Sequence, residues 1–392
     1  MEERYAFTAE WYDPNAALIR RYLLNYYPSD NTCEMVDLKS RKLFLKRSPC
    51  ERVTLKDLFI GAVVNIHSRQ LNITQYGDEF TEKKLKSKKE QTLGIIKPDC
   101  SSSKVGQILD RVTREGFLIS QARMVQLSQK EAQEFYAEHI GKPFFERLVG
   151  FMTEGPVVAF EITGEDAVPR WRHVLGPTDS SVARHEAPGS LRAQFGTDKT
   201  RNACHGSDSQ ASAEREITFF FGGAGGGGGA GFAGAGKPRG RTPAKLVNST
   251  LGIVKPHAVL DGLAGQIIEG ITSAGLSVTG LQLHYMNKAN AEEFLEVYKG
   301  VVAEYAGMVE ELCSGPCVAL EISGGGGAAE TSAHATFREL VGPLDPEIAR
   351  TLRPNTLRAR FGRDKVRNAL HCTDLPDDAS LEVEYFFRIL DS

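Results

Sequence analysis

Residues 202–209 have the sequence NACHGSDS, and residues 368–374 return with NALHCTD. Two further stretches recur in the same order: GIIKP (94–98) as GIVKP (252–256), and GPVVAFEI (155–162) as GPCVALEI (315–322). Self-similarity that keeps its order over most of a chain indicates duplicated structural units. The sequence therefore predicts two copies of one domain, and these copies differ directly after the repeated histidine.

The composition limits the classes of protein to which the chain can belong. Its 392 residues suffice for two to three domains, and 41% hydrophobic with 25% charged residues is typical of globular protein. A net charge of −3 argues against nucleic acid as the main partner. The sequence contains no apolar run long enough to span a membrane. Seven cysteines without close pairing are typical of a reducing compartment, so we expect a cytoplasmic protein without a disulfide framework.

Residues 1–90 differ from the rest of the chain and predict a small antiparallel β domain. Aromatic residues are dense at the start, and a turn cluster, PSDN at 28–31, separates two strand-like runs. The predicted strands are Leu23–Tyr27, Glu34–Leu38, Lys42–Lys46, Val63–Ile66 and Leu71–Tyr76. The lysines at 83–89 indicate either a solvated linker or a contact with an acidic surface.

The two repeats occupy residues 91–221 and 246–392, and a linker at 222–245 joins them. Residues 222–236 are almost pure glycine and alanine, a composition that predicts a flexible chain. The stretch GFAGAGK at 231–237 resembles a phosphate-binding loop, but Pro238 stands where the motif needs serine or threonine. We therefore predict no phosphate site in the linker.

Hydrophobic periodicity in the first repeat predicts an α+β fold with the element order βαββαβ. The predicted elements are strands Thr92–Ile96, Phe117–Leu127 and Val157–Ile162, helices Val105–Arg114 and Ala167–Leu175, and helical segments from Gln129 and over Phe144–Met152.

The NACHGSDS stretch and its surroundings closely resemble the nucleoside diphosphate kinase family. The resemblance implies a ferredoxin-like fold and transfer of the terminal phosphoryl group of a nucleoside triphosphate to a nucleoside diphosphate. His205 matches the nucleophile, which becomes a phosphohistidine. Glu216 matches the residue that orients the imidazole through Ser207, and Tyr136 matches a tyrosine beside the nucleophile. The family uses Mg²⁺ with ATP or another triphosphate, and the nucleotide phosphates rather than protein ligands hold the ion.

The resemblance also implies a nucleotide site in the first repeat. Its members match family residues by position: Lys97 for the terminal phosphate and ribose, Arg172 and Arg192 for phosphates, Thr178 for a phosphate, Asn202 for the ribose and Phe144 for stacking on the base. A guanidinium suits this role because its planar fork binds phosphate through two hydrogen bonds. An aromatic ring stacks on any base.

The second repeat keeps part of this set. The matching residues are Lys255, Arg338, Arg358, Asn368, His371 and Glu382. However, Leu344 replaces the hydroxyl of Thr178, Tyr305 lies one residue out of register with the stacking aromatic, and Cys372 replaces the glycine after the histidine. We therefore expect the second repeat to contribute little turnover and to pair with the first repeat inside the chain, as family subunits do.

Residues 1–90 resemble the DM10 module, and DM10 modules accompany two-kinase-domain members of the family in ciliary axonemes. This resemblance implies a place in the cytoskeleton of a cilium or flagellum, with tubulin or other axonemal proteins as partners. The leading hypothesis is an enzyme that acts in this setting. The alternative is a structural, microtubule-associated protein in which the kinase domains serve as scaffold.

Overall fold

The structure, a computed structural model, describes residues 3–13, 16, 18–50, 53–85, 90–222, 237–324 and 332–390. These residues divide into two compact units: 3–85 with 285–316, and 90–222 with 237–284 and 317–390. The glycine-rich residues 223–236, the phosphate-loop lookalike except for Lys237, Lys86–Lys89, and most of the second glycine run at 324–327 lie outside the described residues.

The first unit contains an antiparallel sheet whose described strands are β1 (Tyr5–Asp13), β2 (Leu18–Tyr27), β3 (Thr32–Asp37), β4 (Leu43–Pro49), β5 (Val63–Ile66) and β6 (Arg69–Tyr76). Their order is β4-β3-β2-β1-β6-β5, so β4 and β5 form the two edges. Alternate residues point into a core that includes Phe7, Tyr22, Leu24 and Leu71. The prediction of an antiparallel β domain is confirmed. Strand β1 was not predicted, because the aromatic residues at the start of the chain were interpreted as a feature of composition and not as an alternating strand pattern.

Three further elements complete the first unit: α1 (Glu79–Leu85), α11 (Lys288–Phe294) and α12 (Tyr305–Leu312). The Oγ1 of Thr81 in α1 accepts a hydrogen bond of 2.8 Å from the backbone of Ala6 in β1. The Nδ2 of Asn65 in β5 donates to the backbone oxygen of Cys313, after α12, over 2.5 Å. The β5 edge of the sheet therefore contacts a segment of the second repeat.

Cys33 and Cys50 form a disulfide with a Cα–Cα distance of 6.1 Å. The expectation of reduced cysteines is therefore wrong for this pair. The two residues are 17 apart in sequence, and only the β3–β4 hairpin, which places both chain ends side by side, brings them together. Five other cysteines are free and buried: Cys100, Cys204, Cys313, Cys317 and Cys372.

The second unit contains both kinase repeats. Its strands, within the described ranges, are β7 (Glu90–Ile96), β8 (Leu118–Val125), β9 (Val157–Gly164), β10 (Cys204–Gly206), β11 (Ser249–Val254), β12 (Leu276–His284), β13 (Cys317–Gly324) and β14 (Leu370–Cys372). Its helices are α2 (Val105–Arg114), α3 (Gln129–Phe135), α4 (Phe145–Thr153), α5 (Ala167–Leu175), α6 (Ser180–Glu186), α7 (Leu191–Phe195), α8 (Gln210–Phe221), α9 (Pro256–Leu260), α10 (Ala264–Ser273), α13 (Ala333–Val341), α14 (Pro346–Leu352), α15 (Leu357–Phe361) and α16 (Ala379–Glu384).

The strands of the second unit form one antiparallel sheet in the order β10-β7-β9-β8-β12-β13-β11-β14. Each half has the strand order 4-1-3-2 of a ferredoxin-like fold, so the predicted fold class is confirmed. In the first repeat the helices α3 and α4 separate β8 from β9, in place of a direct hairpin. The strand order of the second half is the reverse of that of the first. The halves meet at the antiparallel β8–β12 pair, in which Arg123 lies opposite Gln282.

Helices α2 and α10 pack against each other across the same seam. A methyl group added at Gly106 would clash with the backbone of Glu269, and one added at Gly265 would clash with the backbone of Asp110. Glycine therefore allows the two helices to approach closely, and one continuous core extends through both repeats. The prediction that the repeats pair inside the chain is confirmed for these parts.

The described end of the predicted linker is not flexible. Arg241 exchanges two backbone hydrogen bonds with Gln126, of 2.8 and 3.1 Å, and the backbone of Gly240 donates to Glu131 over 2.9 Å. The backbone nitrogens of Lys245 and Leu246 donate to the buried carboxylate of Glu321. The prediction was wrong for 237–245, because the composition there changes from glycine and alanine to residues that meet acidic partners on both repeats.

No helix among the described residues has both the length and the apolar character needed to cross a lipid bilayer.

Candidate functional site

His205 lies in the middle of β10, opposite Ile95 of β7, and faces Glu216 on α8. The distance from His205 Nε2 to Glu216 Oε2 is 2.9 Å, and Ser207 Oγ donates to the same carboxylate oxygen over 2.8 Å. Glu216 therefore contacts the imidazole directly. The expectation that it acts through Ser207 is corrected, because the α8 turn brings the carboxylate close enough to bond both residues.

The charge on Glu216 determines which histidine nitrogen is nucleophilic. Burial alone would raise the pKa of Glu216, but the charge and hydrogen bond of His205 and the hydroxyl of Ser207 lower it below its usual range. An ionised carboxylate only accepts hydrogen bonds, so in the neutral form of the imidazole it favours the tautomer with the proton on Nε2 and a lone pair on Nδ1. The side chain of His205 is 21% exposed.

The backbone before His205 is strained. Ala203 has a φ of +66°, a conformation that costs an alanine about 1–2 kcal/mol. Asp99 stabilises it, since Asp99 Oδ2 accepts a 3.0 Å hydrogen bond from the backbone of Ala203. Asp99 was not predicted as a site residue, although its place two residues after Lys97 was a signal. The strained alanine positions the start of β10 and thereby the histidine.

Lys97 and Asn202 are two buried site residues that are hydrogen-bonded to each other. Lys97 Nζ donates to Asn202 Oδ1 over 2.7 Å and to the backbone oxygen of Thr200 over 3.3 Å. Asn202 Nδ2 donates to the backbone oxygen of Thr178 over 2.9 Å. Burial, and next the charge of Arg192, lower the pKa of Lys97 from 10.5 to about 8. A buried cation with few carboxylate partners favours an anionic ligand.

The two predicted phosphate arginines differ in how they are held. Arg192 on α7 donates to the backbone oxygens of Gly176 and Cys204, over 2.9 and 3.2 Å, so it is fixed in place. Arg172 on α5 is exposed and makes no hydrogen bond to any residue that the structure describes. One guanidinium is therefore preorganised, and the other is available to a ligand.

Tyr136 lies beside His205, and Phe144 lies at the exposed start of α4. Phe144 is 46% exposed and immediately precedes α4, where its ring can meet a base. The ring of Tyr136 is 6.2 Å from that of His205, and its buried Oη has no hydrogen-bond partner. Burial raises the pKa of Tyr136 well above its usual range, so the hydroxyl stays a donor. His139, 5.5 Å from Phe144, was not predicted, and no sequence signal pointed to it. The side chain of Thr178 is exposed.

The second repeat reproduces the histidine pair. His371 Nε2 is 3.0 Å from Glu382 Oε2, and Thr373 Oγ1 donates to the same oxygen over 2.8 Å. Ala369 has a φ of +72°, and its backbone nitrogen donates to Nε2 of His257 in place of an aspartate. Arg358, like Arg192, donates to two backbone oxygens, those of Gly342 and Leu370.

The groups that would meet a ligand differ. Arg338 Nη1 is paired with Asp374 Oδ1 over 2.7 Å and with the backbone oxygen of Thr373 over 2.8 Å. Lys255 Nζ donates to the backbone oxygen of Val366 over 2.8 Å, while Asn368 Oδ1 is buried without a partner. The lysine–asparagine bond of the first repeat is therefore absent from the second.

Three further positions of the second repeat also differ from their counterparts in the first. Asn368 Nδ2 donates to the backbone oxygen of Leu344 over 3.1 Å, which confirms that Leu344 occupies the position of Thr178. Glu304 precedes α12 as Phe144 precedes α4, so Tyr305 is one residue out of register as predicted. Leu295 directly follows α11 as Tyr136 directly follows α3, so the second repeat lacks the tyrosine. The sequence did not predict this loss.

No group of three or more histidine, cysteine, aspartate or glutamate side chains in the described part of the chain could hold a metal ion. Near His205, Asp99 Oδ2 accepts a hydrogen bond from the Ala203 backbone while its buried Oδ1 has no partner, and Glu216 contacts the histidine.

Family models and known proteins show which family the chain resembles. A family model described as nucleoside diphosphate kinase matches residues 90–224 and 248–391, and one described as the N-terminal PH domain of nucleoside diphosphate kinase 7 matches residues 1–87. The chain is 52% identical over 390 residues to nucleoside diphosphate kinase homolog 7 of Rattus norvegicus, a match that covers 100% of this chain and 94% of the rat protein.

A nucleoside diphosphate kinase of Aquifex aeolicus is 53% identical over 135 residues, which cover 34% of this chain and 95% of that enzyme. A crystal structure of the Aquifex aeolicus enzyme matches with 52% identity and a TM-score of 0.32, over 33% of this chain and 92% of that one.

Proposed function

Since the chain belongs to the nucleoside diphosphate kinase family, we propose that its first repeat transfers the terminal phosphoryl group of a nucleoside triphosphate to a nucleoside diphosphate through His205. The single observation that carries the proposal is the 2.9 Å contact between His205 Nε2 and Glu216, which in the neutral imidazole favours the tautomer with a lone pair on Nδ1. The three further cations of the site, Lys97, Arg172 and Arg192, supply the charge that a triphosphate needs.

In the first half-reaction the Nδ1 lone pair attacks the terminal phosphorus. The bond from phosphorus to the bridging oxygen breaks, and the nucleoside diphosphate leaves with that electron pair. The phosphorylated imidazole keeps its proton on Nε2, where the Glu216 carboxylate stabilises it. A second nucleoside diphosphate then attacks the same phosphorus and regenerates neutral His205.

Each remaining residue has a role in positioning and in charge. Arg192, fixed by two backbone carbonyls, and Arg172, which is free to turn, would bind the phosphates, because phosphoryl transfer depends mainly on placement and charge stabilisation. Lys97 and Asn202 would meet the phosphate and the ribose, and the exposed Thr178 hydroxyl would donate to a phosphate. Phe144 would stack on the base without selecting it. Mg²⁺ would neutralise phosphate charge as a part of the substrate.

The phosphohistidine has a chemical signature that tests the proposal. Purified chain is incubated with γ-labelled ATP and Mg²⁺, denatured, and divided between acid and alkali. We expect label that is lost in acid, retained in alkali and discharged by added GDP. Label that survives acid, or the absence of label at substrate concentrations that saturate a family enzyme, would refute the proposal.

A second candidate function is structural, and two observations favour it. The second repeat keeps its fold while Leu344 and Leu295 replace ligand-facing groups, and the chain carries an added β domain of residues 1–87. We propose that this domain attaches the kinase repeats to the microtubule cytoskeleton of a cilium or flagellum, with tubulin or other axonemal proteins as partners. The proposal rests on the resemblance of residues 1–90 to modules of axonemal proteins.

Retention in a ciliated cell tests the second candidate. Tagged chain should remain with the axoneme after extraction with detergent and moderate salt, and deletion of residues 1–87 should release it. Full-length protein that washes out under the same conditions would contradict the proposal and leave the phosphohistidine result untouched.

A further inference from the structure

Strand β4 forms an exposed edge of the first unit. It stands at one end of the strand order β4-β3-β2-β1-β6-β5, and it pairs only with β3 among the described residues. The opposite edge, β5, contacts the chain at Cys313. Native sheets usually shorten or cover such an edge, because its free N–H and C=O groups can pair with another chain.

The side chains of this edge are apolar and exposed. Leu43 is 53% exposed, Phe44 is 41% exposed, and Leu38, just before the strand, is 41% exposed. Phe44 is held in place, since its ring lies 4.5 Å from that of Tyr22 and 5.1 Å from the guanidinium of Arg69. An ordered, exposed aromatic beside a free strand edge is typical of a protein-binding surface.

The charge of the same edge is strongly positive. Residues 38–50 contain five basic residues and no acidic residue: Lys39, Arg41, Lys42, Lys46 and Arg47. Arg47 is engaged by Asp30 and by the ring of Tyr27, whereas the other four make no ion pair with any residue that the structure describes. On the neighbouring strand β3 the carboxylate of Glu34 accepts hydrogen bonds from Asn25 and Tyr27, and that of Asp37 accepts one from the Ser40 backbone.

We propose that β4 is a docking edge for an extended acidic segment of a partner protein, which adds a strand to the sheet and places its carboxylates against Lys39, Arg41, Lys42 and Lys46. The unpaired cations provide charge complementarity, and Leu43 and Phe44 provide apolar contacts for the segment. The inference does not depend on phosphotransfer.

The other possible occupants fit the edge less well. A second copy would bring its own five basic residues against these, and like charges repel. A membrane surface or a nucleic acid presents phosphates, which would meet the lysines but do not repeat donors and acceptors at the spacing of a strand edge. A second strand supplies both kinds of group at that spacing.

The test uses the full chain and a fluorescein-labelled ten-residue peptide of alternating glutamate and valine, followed by fluorescence anisotropy. Three comparisons define the surface. The variant K42E/K46E reverses the edge charge, the variant K83E/K84E reverses the same charge on α1, and a peptide N-methylated at alternate residues cannot pair along one side. Thermal melting checks that both variants stay folded.

We expect the peptide to bind the wild type and K83E/K84E equally, to bind K42E/K46E at least about tenfold more weakly, and to lose at least about tenfold on N-methylation. An absence of binding at about 1 mM peptide would overturn the proposal, as would equal binding of K42E/K46E or of the N-methylated peptide. Anionic vesicles and a single-stranded oligonucleotide form two further arms. Binding of either one that depends on Lys42 and Lys46, without peptide binding, would assign the edge to that surface instead and refute the proposal.

Discussion

The two kinase repeats share the geometry of the histidine pair but not that of the groups that face a ligand. The histidine–glutamate contact measures 2.9 Å in the first repeat and 3.0 Å in the second, and the hydroxyl–glutamate contact measures 2.8 Å in both. The left-handed alanine before the histidine is also common to both repeats. These features belong to buried backbone and core. They recur in the second repeat although the groups that face a ligand differ.

The difference begins at one aspartate. Asp208 is stabilised by Ser209 and Ser212, which lower its pKa, and Arg172 remains without a hydrogen bond in the described structure. The second repeat has Leu375 and Asp378 at the two serine positions. Deprived of those hydroxyls, Asp374 takes the guanidinium of Arg338 as its partner. A local change beside the histidine thus accompanies the pairing of Arg338, the counterpart of Arg172, in a site whose histidine–glutamate contact is intact.

The largest expected effect separates the two histidines. His205→Ala removes the nucleophile and should lower turnover by at least about 10³-fold and abolish the acid-labile label. His371→Ala, its matched control, removes an equivalent buried pair and should leave most of the activity. Equal losses in the two variants would show that both repeats turn over. Wild-type labelling of H205A would remove His205 from its role.

The next effect separates the two arginines. Arg172→Ala removes a free guanidinium that would make charged hydrogen bonds to phosphate, each worth about 1.5–3 kcal/mol, so kcat/KM should fall by about 10- to 100-fold. Arg338→Ala breaks only an internal ion pair and should change kcat/KM by less than about twofold. Steady-state kinetics with ATP and GDP measures both. An Arg172→Ala enzyme with unchanged kcat/KM would show that this arginine does not bind phosphate.

Repair of the second repeat sharpens the comparison. In a His205→Ala background, Leu295→Tyr and Leu344→Thr restore two hydroxyls, and Asp374→Asn releases Arg338 from its ion pair. The triple change should raise labelling of His371 by at least about tenfold, because it restores two hydroxyls and frees one arginine among the groups that differ between the repeats. The Asp374→Asn change alone is the control for release of Arg338. Labelling that stays at the starting level in the triple variant would place the defect elsewhere.

The effect of pH is smaller. Burial lowers the pKa of Lys97 to about 8, so its charge is present below that pH and disappears above it. We expect kcat/KM, which reports the free enzyme, to fall above about pH 8 by up to tenfold per unit. In the same range the unfolded chain holds more protons than the folded chain, so this lysine makes the free energy of unfolding rise between about pH 8 and 10.5.

Lys97→Met provides the control for the pH dependence of kcat/KM and for that of the free energy of unfolding. The variant should lose the rise in unfolding free energy over that window, measured by urea denaturation at several pH values. If the wild-type kcat/KM stays flat to pH 10, the charge of Lys97 does not contribute to phosphate binding.

Much of the fold could be predicted from the sequence, because hydrophobic periodicity records which face of each element is buried. Helices Val105–Arg114 and Ala167–Leu175 and strand Val63–Ile66 have the predicted bounds. Long-range contacts could not be predicted, since periodicity carries no partner information. The Cys33–Cys50 bond and the docking of Gly240 onto Glu131 each join residues far apart in sequence.

The contacts within the candidate site could likewise be predicted only in part. The family resemblance predicted a set of residues around the histidine, and the structure shows contacts of Lys97 with Asn202 and of Tyr136 with His205. It could not predict that Glu216 reaches the imidazole directly or that Arg338 is engaged by Asp374. Both depend on side-chain distances that the positions of residues in the chain do not determine.

Mapping of phosphohistidine within the intact chain tests most directly the claim that two similar histidine pairs are unequal. The wild-type chain is incubated with ATP and Mg²⁺, digested at alkaline pH, and the peptides that contain His205 and His371 are quantified by mass spectrometry in their free and phosphorylated forms. We predict phosphate on His205 approaching one per chain and at most about one tenth of that on His371. Equal occupancy of the two histidines, or phosphate mainly on His371, would contradict the account.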